Sequence, residues 1–117
     1  MRREIRVLLF FEAATFVFAS LIHSGVLITG YEHPKARIPE GIIAVVLLLA
    51  AVSIWIRPEW TRKAGLAAQA FAFLGTLIGL FTVVIGIGPN TIPDIVYHFA
   101  IIAVLVSGLI FTDRISA

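Results

Sequence analysis

The chain has 117 residues and no cysteine, with 60% of its residues hydrophobic and 14% charged. A soluble domain has roughly half apolar and about a quarter charged residues, so this balance and a mean hydropathy of +1.03 indicate lipid as the surrounding solvent. Disulfides and thiolate metal sites are excluded, and a net charge of +2 from Arg and Lys at helix ends makes no nucleic-acid surface.

Four apolar runs, at approximately 7–28, 39–56, 64–87 and 92–112, make a single transmembrane domain over 1–117. Crossing the hydrocarbon takes about 20 helical residues. Backbone groups in lipid must be satisfied within the segment, so each run predicts a helix. The first follows Arg2, Arg3 and Arg6; no clear small-x-small cleavage site comes after it, and it reads as a span and not a signal peptide. The second begins at Pro39, a residue suited to the first helical turn. In the third, Gly65, Ala68, Ala72, Gly75, Gly79, Thr82 and Gly86 recur at alternating steps of three and four, which places them on one face. In lipid, close approach over small residues supplies the packing, so Gly75, Gly79 and Gly86 are predicted to lie against neighbouring helices or a second copy. The fourth opens on Thr91, with Asp94 placed to complete an N-terminal cap.

The fold class expected is therefore all-α, a membrane-embedded four-helix bundle. Seven of the Arg and Lys residues fall on the side of the termini and two, Lys35 and Arg37, on the other. The positive-inside rule then predicts cytoplasmic termini in a bacterial inner membrane. The pairs Pro39-Glu40 and Pro93-Asp94, and Glu12-Ala13 and Gln69-Ala70, suggest a duplicated two-helix hairpin; chance within a small apolar alphabet is the competing explanation.

Ionisable side chains inside spans mark candidate sites. His23 lies eleven residues beyond Glu12, which returns to within about 20° of the same helix face. Asp94 and His98 are four apart and share a face, with Tyr97 beside them. His23 and His98 fall at similar depth, and Glu32, His33 and Glu40 lie at or above that level, so the outer half is the polar half. One expectation is that these groups only hydrogen-bond across helices, with His98 taking Asp94 or Tyr97. The sharper one is that His23 and His98 converge on a ligand, as axial ligands of haem b or, with Asp94, Glu40 or His33, on a divalent metal. Glu12 is a proton or ion candidate; it also lies where it could reach the interface or pair with Arg6 or Arg62.

The residues His23-Ser24-Gly25, Glu32-His33-Pro34, Gly88-Pro89 and Pro93-Asp94 with Tyr97-His98 resemble those of a family of small bacterial four-helix integral membrane proteins with no known activity. That resemblance implies a fold and an inner-membrane location. A likeness to the small multidrug-resistance transporters is confined to Glu12 and overall size. Their charge bias is weak and Asp94, Tyr97 and His98 are outside their pattern, so their function is not carried over.

No nucleotide-binding loop, hydrolase elbow or zinc-protease motif is present, and an autonomous enzyme is not expected. The reading is a membrane-embedded binding or accessory protein with a His/Asp site in the outer half. The alternatives are a proton-coupled transporter using Glu12 and a structural subunit of a larger membrane complex or homo-oligomer.

Overall fold

The computed structural model describes residues 2–27 and 29–115, and among these it is all-helical. Helix α1 spans Arg2–His23, α2 Pro34–Ile56, α3 Thr61–Val84 and α4 Ile92–Asp113, with a 3-10 turn at Pro58–Trp60. All four helices are long and apolar enough to cross a membrane. Their outward faces carry large apolar side chains such as Phe11, Phe18, Leu49, Ile78, Phe81 and Phe99, all more than half exposed. An apolar girdle of that extent suits hydrocarbon and not water.

Two contacts gather the arginine-rich ends, here called the basic end. The Arg6 guanidinium lies 4.5 Å from the Trp55 ring centroid, joining the start of α1 to the end of α2. Arg62 donates to Asp113 at 2.6 Å, joining the start of α3 to the end of α4. The opposite end holds all three histidines and is called the histidine end. Within the bundle α1 packs along α2 and α3 along α4, and α2 with α3 joins the two hairpins. Buried Leu9, Ala13, Phe16, Ile43, Leu47, Ile54, Ala72, Ile101 and Leu105 form one continuous core. The α1–α4 seam is looser. Beside Leu8, Phe11, Val104, Ser107, Gly108 and Phe111 it leaves an outward-facing groove of about 560 Å³.

Three sequence expectations are corrected. Helix α1 stops at His23, short of the predicted limit at Ile28, which lies outside the described residues. Gly25 adopts φ +78, Gly25 N–H donates to the Ile22 carbonyl and Val26 N–H to that of Leu21, which closes the helix with a left-handed glycine cap. Helix α2 starts at Pro34, and Pro39 lies inside it. Pro34 suits the first turn equally well, and Lys35, Ala36 and Arg37 extend the helix beyond the apolar run that marked the span.

The third correction concerns Gly86. It is exposed, lies beyond the end of α3, and a Cβ built on it would meet nothing within 4 Å. With φ +87, and with Gly86 N–H bonding to Val83 and Ile87 N–H to Thr82, it forms the same cap as Gly25. Gly75 and Gly79 do pack: a Cβ would lie 2.8 Å from Ile43 Cδ1 at the first and 3.2 Å from His98 Nε2 at the second. The small-residue face of α3 is thus covered by α2 and α4 of the same chain. Gly86→Ala should cost about 1–2 kcal/mol, from left-handed backbone alone. Asparagine tolerates that conformation better, so Gly86→Asn should be the milder change in a detergent unfolding titration. A packing role would predict the reverse order.

Candidate functional site

The Pro93 turn starts α4 and fixes the direction of Asp94. Thr91 Oγ1 accepts from the Asp94 backbone N–H, and the Asp94 carboxylate accepts from the Thr91 N–H, a reciprocal capping box. The Thr91 hydroxyl donates to the same Oδ2. This leaves Oδ1 turned into the bundle, where it meets His23 Nε2 at 2.8 Å. The other ring nitrogen, Nδ1, lies 2.6 Å from Glu40 Oε1. His23 is 3% exposed, and Glu40 and Asp94 are each 9% exposed. One imidazole therefore bridges carboxylates from α2 and α4, and α1, α2 and α4 are pinned together at the histidine end.

The proton positions follow from the partners. With Asp94 ionised, Oδ2 accepts from Thr91 and Oδ1 accepts from His23 Nε2–H. Nδ1 and Glu40 Oε1 then share one proton across 2.6 Å, as imidazolium with carboxylate or imidazole with carboxylic acid. Pro39-Glu40 and Pro93-Asp94, the pairs that suggested a duplication, supply the two carboxylates of this bridge.

His98 faces another way. Its Nδ1 donates to the Asp94 backbone carbonyl at 2.7 Å, four residues back in the same helix. Its partner is thus Asp94, one of the two expected, through the backbone and not the side chain. The carboxylate is engaged by His23 and Thr91, whereas the carbonyl lies directly within reach of the ring. Because a carbonyl only accepts, the neutral ring carries its proton on Nδ1 and leaves Nε2 as an acceptor. Nε2 lies against Gly79. There all four helices contribute to a partly open cavity of about 180 Å³ lined by Phe16, Glu40, Ile43, Gly79, Tyr97 and His98. His33 also lines it, with its ring centroid 6.2 Å from that of His23. Tyr97 lies edge-on to His98, ring centroids 6.2 Å apart, with its hydroxyl donating to Thr15 across the α1–α4 seam at 3.3 Å.

The structure thus brings His23, Glu40 and Asp94 together and does not bring His23 and His98 onto one ligand. Axial haem ligation needs a free nitrogen lone pair, and both nitrogens of His23 are engaged by carboxylates. An engineered cavity of about 150 Å³ holds benzene, which makes 180 Å³ far too small for a haem. Among the described residues no group of three His, Asp or Glu is arranged to hold a metal ion.

Glu12 is also corrected. It is 0% exposed and reaches neither the interface nor an arginine, since Arg62 is with Asp113 and Arg6 lies over Trp55. Across from it, Gln69 is likewise 0% exposed. Gln69 was not a candidate from its residue type. The one signal for it was its alignment with Glu12 in the apparent duplication.

Compared with protein-family models, curated proteins and solved structures, the chain matches none. The likeness to small bacterial four-helix membrane proteins therefore rests on the residues quoted for it.

Proposed function

We propose that the chain is a binding or accessory protein of a bacterial cytoplasmic membrane, with both termini in the cytoplasm, and that the histidine-end cavity holds a small amphipathic molecule bearing a hydrogen-bond donor. The charge bias between the two ends supports the orientation. The observation that carries the binding reading is the cavity of about 180 Å³ with the His98 acceptor nitrogen at its wall. An apolar lining with a few fixed polar groups is the usual character of a small-molecule site. The His23 bridge holds three of the helices in place around it.

The transporter alternative through Glu12 requires a polar path to the His23 layer. One turn beyond Glu12 and Gln69 the fully buried side chains are apolar, with Phe16, Ile43, Ala72 and Ile101 all at most 5% exposed, and the Thr15–Tyr97 hydroxyl pair lies in the α1–α4 seam beside them. That layer counts against a continuous path.

The binding reading is tested with phenol and toluene as probes on detergent-solubilised protein labelled with 15N-histidine. Phenol should shift the His98 Nε2 resonance and bind roughly five- to tenfold more tightly than toluene, the worth of one neutral hydrogen bond. His98→Leu should remove that preference, and Thr82→Leu, which fills the cavity, should weaken both probes. If neither phenol nor cyclohexanol moves the Nε2 resonance, this reading is wrong.

A further inference from the structure

On the far side of the apolar layer, both oxygens of Glu12 and Oε1 of Gln69 are buried without a hydrogen-bond partner among the described residues. The orientation of the Gln69 amide is fixed by its nitrogen. Nε2 donates to the Gly65 carbonyl at 3.1 Å, to the Gly108 carbonyl at 3.4 Å and to Thr112 Oγ1 at 2.9 Å. Thr112 spends its own proton on the Gly108 carbonyl, so all three are acceptors and the amide cannot be flipped. The amide oxygen is left facing Glu12. A Cβ placed on Gly108 would be 2.0 Å from Gln69 Oε1 and 3.1 Å from Glu12 Oε2, so the two oxygens converge beside that glycine.

A carboxylate facing a carbonyl oxygen in apolar surroundings is repulsive on both sides; a carboxylic acid facing it is a hydrogen bond. We propose that Glu12 and Gln69 form a proton-binding site, in which Glu12 is a neutral acid donating its O–H to Gln69 Oε1, reached from the hydrocarbon through the α1–α4 groove.

The buried groups around it are uncharged on every helix, and the one charged residue lining the groove, Glu4, is an exposed acid and not a cation. In this half α2 buries Leu47, Ala50, Ala51 and Ile54, α3 buries Thr61, Gly65, Ala68 and Gln69, and α4 buries Leu105, Gly108 and Thr112. On α1 itself Leu9 and Ala13 flank it. No cation is among them to hold Glu12 ionised. Gly108 and Leu8, which lie against the dyad, also line the groove of about 560 Å³. This site is independent of the histidine-end cavity.

Dicyclohexylcarbodiimide tests the proposal on the full chain in liposomes, because it partitions into hydrocarbon and reacts with the acid form. The acid proton passes to a carbodiimide nitrogen and the carboxyl oxygen adds to the central carbon. The resulting O-acylisourea rearranges to a stable N-acylurea, with no leaving group and no redox partner. One adduct per chain, located at Glu12 by peptide mass, is expected, with loss of the adduct in Glu12→Gln. A water-soluble carbodiimide should not label Glu12. Infrared difference spectra of wild type against Glu12→Gln provide a second readout, in which a protonated-carboxyl band should be the one lost. A carboxylate band lost instead, or protection of Glu12 by sodium or potassium ions, would mean an ionised group holding a cation and would overturn the proposal.

Discussion

Replacing His23 with leucine is expected to destabilise the bundle by about 3–5 kcal/mol, the cost typical of removing one partner from a buried ion pair. The substitution leaves Glu40 and Asp94, each 9% exposed, facing the space of the lost imidazole with no donor between them. Leucine replaces most of the volume, so the loss is electrostatic and not a cavity effect. The measurement is an unfolding titration in mixed micelles. It should be accompanied by a triple variant, His23→Leu with Glu40→Gln and Asp94→Asn, which removes both stranded charges. The triple variant should be clearly more stable than the single one. If the two unfold together, the bridge has no role in holding α1, α2 and α4.

Gly108→Val is expected to cost about 1–3 kcal/mol by overpacking, at the upper end because the neighbour cannot move freely. The new Cβ would overlap Gln69 Oε1 at 2.0 Å and Leu8 Cδ2 at 2.9 Å. Gln69 is tethered through Nε2 to Gly65, Gly108 and Thr112, so moving the amide breaks that network as well. Shortening the obstacle should relieve the strain. Gly108→Val combined with Gln69→Ala should lose less than the sum of the two single variants in the same titration. Simple additivity would show that Gly108 and Gln69 are not in contact.

The four spans were legible because an apolar run long enough to cross a bilayer has few other solutions in lipid. The limits of the helices were not. Pro34 and Pro39 are equally suited to a first turn, and hydropathy stops reporting where α2 continues past the apolar run through Lys35 and Arg37. Gly86 continued the step of three and four, but spacing cannot distinguish a residue within the helix from the glycine that ends it. At the histidine end, rise per residue placed His23 and His98 at similar depth. Depth carries no azimuth, and the two rings point into different parts of the bundle. Glu40 was a candidate ligand residue, yet its pairing with His23 depends on how α2 is rotated against α1, which the apolar pattern of α2 leaves open. Gln69 was hidden for a simpler reason: a neutral amide in a span draws no attention until the carboxyl opposite it is placed.

The His23 bridge restrains three helices and omits α3. In the histidine half α3 spends its hydroxyls on itself, Thr76 on Ala72 and Thr82 on Gly79, and meets its neighbours there through Gly75 and Gly79. At the basic end it is fastened by Arg62 to Asp113 and by Gln69 to α4. The cross-links are therefore distributed unequally around the cavity: α1, α2 and α4 are tied together at the histidine end, whereas α3 is tied to α4 at the opposite end.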